Sequence, residues 1–257
     1  MSASRDDIMK ELGLTPVWRL RTPPAPLSEA AVAVPAAAQA TEPEPEVVRG
    51  LPKVKPLDAR ATEIAMFEWP QLKQSVASCV ACPLHKERNK TVFGVGDEAA
   101  EWLFVGEAPG QDEDTKGEPF VGQAGKLLDN MLAAIKLKRG HNAYIANIVK
   151  CRPPNNRNPE SGEAAQCEPY LHRQITLIKP KLIVALGKVA AVNLLKRDLP
   201  VASMRGKVHS YQGIPLIVTY HPAYLLRSLP EKAKAWADLC FAVETMQGLQ
   251  SAKSAPT

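Results

Sequence analysis

One loop gathers four carboxylates in a chain whose formal net charge is +5. The stretch GEAPGQDEDTKGEPFVGQAGKLLDNML, residues 106–132, opens on a glycine turn and carries Glu107, Asp112, Glu113 and Asp114 ahead of Phe120. Carboxylates so placed can hold a reacting water or face a developing positive charge; the plainer reading is a solvated acidic loop. Two further residues are unusual where they stand. Asn147 lies within the apolar run AYIANIVK, where an amide is costly unless it is paired. His221 follows an apolar run and precedes Pro222, which holds it in an extended or turn conformation.

Thiols make a second constellation. Cys79 and Cys82 form CVAC, Cys151 sits in KCRPP, and Cys167 follows after fifteen intervening residues. A lone CxxC would read as buried thiols or a redox pair. Two more cysteines at strand and loop ends make a four-thiolate metal site the better reading, with zinc and iron–sulfur left open by the spacing. Such a clip closes a long loop and is worth about 3–4 kcal/mol. Cys240 reads instead as core packing, on a helix face shared with Trp236 and Val243.

These residues need elements to position them. Four apolar, β-rich runs recur: EWLFVGEA (101–108), AYIANIVKC (143–151), KLIVALG (181–187) and IPLIVTYHP (214–222). Helical patterns lie between them at 122–137, 160–178 and 187–197, with another at 230–248. Strands alternating with helices imply a parallel sheet covered on both faces. Ligands of such sheets sit beyond the carboxyl ends of the strands. Glu107, Asn147 and His221 all fall on that rim.

The 257 residues suffice for one sizeable α/β domain with extra segments. Residues 1–60 hold eight Lys/Arg and eight Asp/Glu, so the positive surplus lies wholly in 61–257. Residues 23–60 are rich in Pro, Ala and Glu and read as a disordered linker. Residues 1–22 read as a short amphipathic helix, with Ser4 as its cap and Ile8, Met9 and Leu12 as its stripe. It is either a stub packed on the domain or a docking peptide for a protein partner. Residues 251–257 form a tail. The run AVAVPAAAQA has the small-residue close of a signal peptide, but it contains Pro35 and follows an acid. Export is therefore not expected, and no apolar run reaches membrane-spanning length.

Taken together, GEAPGQDED, GEPFVGQAGKLLD, YIANIVKCRPPNNRNP, a cysteine fifteen residues on, and HPAYLLR resemble the family 4 uracil-DNA glycosylases. The match runs from about Cys79 to the last helix, residues 61–250 being the domain; the first sixty residues lie outside it. The resemblance implies a three-layer α/β/α sandwich on a four-stranded parallel sheet. It also implies a [4Fe-4S] cluster on Cys79, Cys82, Cys151 and Cys167, and hydrolysis of the bond joining uracil to DNA, as a monomer in the cytoplasm at the nucleoid.

That chemistry suits the unusual residues. The sugar becomes cation-like as its bond breaks, and the departing uracil becomes an anion. By the resemblance, Glu113 is expected to position water or steady the sugar cation, and Glu107 to orient the turn and help hold uracil, with Gly106 and Ala108 beside it. Ala108 stands where better-known uracil-DNA glycosylases carry an Asp thought to activate water. Phe120 is the expected stacking platform, Asn147 the base reader and His221 the donor to uracil O2. Arg152, Arg205, Lys207 and Arg227 are the expected phosphate contacts. The rival readings are a non-catalytic or covalently trapping uracil-DNA binder, with His209 as nucleophile, and an iron–sulfur electron carrier. Residues 1–60 are expected to be dispensable for excision.

Overall fold

The computed structural model describes residues 59–254, so the expectations for residues 1–22, most of the linker 23–60 and the end of the tail lie outside the described residues. Six strands form one sheet: β1 (Val95–Gly96), β2 (Trp102–Gly106), β3 (Ala143–Asn147), β4 (Leu182–Leu186), β5 (His209–Tyr211) and β6 (Ile214–Thr219), in the order β1-β3-β2-β4-β6-β5. The four apolar runs are its parallel centre, β3-β2-β4-β6. At the edges β1 pairs antiparallel with β3, and β5 with β6. The expected four-stranded parallel sheet is thus corrected to a mixed sheet of six. The edge strands escape the sequence pattern because they span only two and three residues. A strand paired on one side has less apolar surface to bury.

Every residue of β2, β3 and β4 is buried, as strands covered on both faces require. Their period-2 alternation divides them between two cores. Leu103, Val105, Ala146, Ile183 and Val218 pack with helices α1 (Ala59–Ala65), α2 (Trp69–Ala77), α5 (Ser161–Ile178) and α6 (Gly187–Leu195). Trp102, Phe104, Ile145, Val184 and Ile217 face the other way, toward α4 (Gln123–Ala134) and α9 (Glu231–Ser254). Three shorter helices, α3 (Gln111–Lys116), α7 (Val201–Met204) and α8 (Pro222–Arg227), and two 3-10 turns at Pro83–Lys86 and Pro154–Asn156 complete the described elements. On α9 the buried stripe runs through Ala235, Leu239, Ala242 and Met246. Trp236 is exposed and Cys240 half-buried, so the face they share is not the core face expected from its aromatic.

Helix α1 begins two residues inside the expected linker and supports the cysteine region. Arg60 donates to the Gln166 carbonyl at 2.8 Å and to Cys79 Sγ at 3.6 Å, and lies 4.9 Å from the Tyr170 ring centroid. The expected boundary at residue 60 therefore cuts into a contact of the folded domain. A chain beginning at Val54 should melt as the full chain does. One beginning at Ala61 should melt about 2–4 °C lower, the shift that roughly 1 kcal/mol makes in a domain of this size. Equal melting temperatures for the two truncations would show that Arg60 contributes nothing.

Candidate active site

The carboxyl ends of the parallel strands open onto a cleft of about 600 Å³. Glu107, Ala108, Glu113, Phe120, Asn147, His221 and Arg227 all line it. Register explains the convergence: Gly106 ends β2 opposite Asn147 at the end of β3, while His221 caps α8 just beyond β6. Gly106 lies beneath the cleft, where an added Cβ would stand 2.5 Å from both Asn147 Oδ1 and Phe120 Cζ.

Asn147 is 2% exposed, and its Oδ1 is buried without a hydrogen-bond partner among the described residues. A buried amide oxygen left unmatched costs on the order of 1–3 kcal/mol, so the position calls for a donor that is not part of the protein. Phe120 is 6% exposed and holds a left-handed backbone, φ 55°. Its ring packs with the second core, lines the cleft and lies 5.5 Å from the His221 ring.

His221 is half-buried in the cleft wall, and desolvation of its imidazole, aided by the charge on Arg227, pushes its pKa down to about 4. The imidazole is therefore neutral near pH 7 and carries one proton. Its Nδ1 accepts from the Ala223 N–H at 3.2 Å, which leaves that proton on Nε2.

The four acids of the loop have four different surroundings. Asp112 is exposed. Asp114 is fully buried, and its carboxylate accepts from the Asn89 N–H at 2.9 Å and the Asn89 amide at 2.6 Å. Glu113 accepts from the backbone N–H groups of Gly110 (3.0 Å), Val121 (2.9 Å) and Gly122 (3.1 Å). Glu107 alone of the four lines the cleft with no hydrogen-bond partner among the described residues, and burial pushes its carboxyl pKa up.

Of the expected phosphate contacts, Arg227 lies in the cleft wall. Arg152 Nε donates to Asn156 Oδ1 at 2.7 Å, on the loop whose Asn156, Arg157 and Asn158 also line the cleft. Lys207 is exposed and outside the lining. Arg205 is engaged internally: it pairs with the buried Asp238 at 2.8 Å and donates to the Lys234 carbonyl. That pairing leaves its guanidinium little capacity for a phosphate. Sequence reasoning missed Lys188, Tyr220 and Tyr224 in the lining. Both tyrosines flank the His221 motif, a signal that was available; Lys188 carries none.

Cys79, Cys82, Cys151 and Cys167 line one small cavity together, and Cys240 lies apart. N–H donors reach three of the sulfurs: Arg88 to Cys151 Sγ at 3.0 Å, the Lys150 backbone to Cys167 Sγ at 3.3 Å, and Arg60 to Cys79 Sγ. Burial pushes the Cys167 thiol up to about 12, and raises those of Cys82 and Cys151. Among the described residues no three His, Cys, Asp or Glu side chains gather as ligands of a single ion.

The model of the uracil DNA glycosylase superfamily matches residues 93–240. The type-4 uracil-DNA glycosylase of Archaeoglobus fulgidus is 49% identical over 161 residues, 60% of this chain and 80% of that protein. That of Pyrobaculum aerophilum is 41% identical over 179 residues, covering 66% and 90%. That of Thermotoga maritima is 43% identical over 159 residues, covering 61% and 82%.

The state of His221 is directly measurable. In the folded protein its imidazole should titrate near pH 4 by NMR, well below the 6.5 of a free histidine, with the proton on Nε2 at neutral pH. Between those values the unfolded chain binds the proton and the folded one does not. Stability is therefore complete above pH 6.5 and falls by on the order of 3 kcal/mol as pH drops toward 4. His221→Asn should flatten that limb. An imidazole midpoint at 6.5 would contradict the burial.

Proposed function

The chain belongs to the type-4 uracil-DNA glycosylases, and from that premise we propose how its cleft divides the work. The protein is a DNA-repair hydrolase that cleaves the N-glycosidic bond of uracil in DNA and leaves an abasic site. The unmatched Oδ1 of Asn147 is the observation that carries the reading. Uracil presents a donor at N3–H and an acceptor at O4, so an amide with its oxygen turned to N3–H pairs with both. Cytosine has an unprotonated N3, which that oxygen would repel. Phe120 stacks on the flipped base, an interaction worth about 1–3 kcal/mol that helps offset the cost of flipping.

His221 donates from Nε2 to uracil O2, where negative charge grows as the bond breaks. A neutral donor with its tautomer already fixed needs no proton rearrangement during the reaction. The positive charge grows on the sugar. Glu107, the acid left without a partner, faces it or holds the attacking water, a role the sequence reading gave to Glu113. Glu113 orients the loop instead. Arg227, Arg152 and Lys207 hold the DNA backbone, and Arg205 supports the fold. We place the enzyme with its substrate, at the nucleoid in the cytoplasm; no described helix is long and apolar enough to cross a membrane.

A [4Fe-4S] cluster fits the four cysteines. All four line one cavity, N–H groups aim at three of the sulfurs, and four thiolates supply one ligand for each iron. When bound, the cluster supplies a cross-link among distant stretches of chain. The covalent-trapping reading finds less support: His209 starts the edge strand β5, outside the cleft lining, with Nε2 2.6 Å from the Met204 carbonyl oxygen.

Single-turnover rates on uracil and cytosine oligonucleotides test the assignment. Asn147→Asp, which only accepts hydrogen bonds when ionised, should lose uracil excision and shift what remains toward cytosine. His221→Ala should slow uracil excision by about a hundred- to thousand-fold without changing the base chosen. Wild-type uracil excision by Asn147→Asp would remove Asn147 as the base reader. The cysteine site has its own measurement: the purified protein should be brown and hold about four iron atoms. Cys167→Ser should lose iron while Cys240→Ser keeps it, and stoichiometric zinc without iron would overturn the cluster.

A further inference from the structure

Phe120 holds a backbone conformation that L-residues avoid, and the reason lies in what grips the peptides around it. Its φ of 55° is left-handed, a region in which Cβ crowds the following carbonyl oxygen. Such a conformation persists only where its surroundings over-determine it. Here they do so with opposite charges on two sides. Arg139, beyond the end of α4, donates from Nη1 to the Pro119 carbonyl at 2.8 Å and from Nη2 to the Phe120 carbonyl at 2.8 Å. The Phe120–Val121 peptide is gripped at both ends, since the Val121 N–H donates to Glu113 Oε1, which also accepts from the N–H of the following peptide at Gly122.

Arg139 is itself fixed. Its Nε and Nη2 donate to Asp129 Oδ1 at 3.1 and 3.0 Å, and the side chain is 19% exposed. The first turn of α4 closes the remaining side: a Cβ on Gly125 would run into the Phe120 carbonyl. A guanidinium is suited to this, since its rigid fork reaches two carbonyls and a carboxylate at once.

We propose that Arg139 is a positioning residue for excision: with Glu113 it braces residues 119–122 and so presents the Phe120 ring to the flipped uracil. The proposal rests on Phe120 being the stacking platform. The brace acts on no reacting atom. It sets one backbone torsion, and the ring follows, because Gly106 beneath and His221 beside leave it little room to compensate.

The test is a double-mutant cycle on the full-length protein, read by single-turnover excision of uracil and by inhibition with free uracil, with melting curves taken on each variant. Arg139→Gln should slow excision about tenfold and weaken uracil inhibition by a similar factor, the scale of one lost charged hydrogen bond. In a Phe120→Leu background the same substitution should cost less than about twofold, since coupled residues are not additive. Arg139→Lys should fall between, keeping the charge and losing the fork. The proposal is overturned if Arg139→Gln excises at the wild-type rate. It is equally overturned if the full tenfold loss persists beside Phe120→Leu, because a general loss of folding would do that. If Arg139→Gln does not fold, Arg139→Lys is judged by the same two criteria. Phe120→Leu with wild-type excision and inhibition would instead remove Phe120 as the platform, a failure visible without any Arg139 variant.

Discussion

At the carboxyl end of β2 the backbone of Gly106 passes so close to the Asn147 amide and the Phe120 ring that a methyl group has no place between them. This contact orders the rest of the site. Parallel pairing sets Asn147 beside Gly106, and the missing Cβ lets the amide and the ring share one pocket wall. A side chain there would push the Asn147 amide and the Phe120 ring apart. The fold then has to bring a loop, not a strand, over Gly106 to supply the ring. That loop is residues 107–122, and its cost is a run of backbone N–H and C=O groups with no ladder to satisfy them.

Its acids are best understood through that need. Glu113 and Asp114 accept from backbone N–H groups on segments that ladder pairing cannot reach, at 110, 121 and 122 for one and at 89 and 90 for the other. Carboxylates engaged in this way serve the backbone. Of these acids only Glu107 keeps a carboxylate in the cleft without a side-chain partner among the described residues. A basic protein can hold five acids in residues 107–122 because Glu113 and Asp114 do structural work there and Glu118 pairs with Arg139.

Much of this was legible in the sequence, for reasons that differ by residue. The strands of the parallel centre are buried on both faces, so Trp102–Gly106 and Leu182–Leu186 had to be apolar throughout and announced themselves. The rim followed from topology, since Glu107, Asn147 and His221 each come just where such a run ends. The edge strands did not show, because two or three half-buried residues make no pattern. Nor did the tasks of Glu113 and Arg205. Which carboxylate is engaged and which is free depends on N–H groups brought near by the fold, and Arg205 meets Asp238 from a helix 33 residues on. A charge count sees only that both signs are present.

Asn147 in the cleft and Cys151 in the cysteine cavity lie on one short stretch, residues 147–151, and Lys150 ties that stretch to its surroundings. It is 1% exposed. Its backbone N–H donates to Cys167 Sγ, while its ammonium donates to the Asn147 carbonyl at 3.0 Å and to Gln174 Oε1 at 2.6 Å. Gln174 continues to the Phe93 carbonyl at 2.9 Å, beside the edge strand β1. A lysine so enclosed must have its donors matched, or its burial would unfold the region. The end of β3 is thus held on one side by the glycine of β2 and on the other by a buried cation anchored to α5.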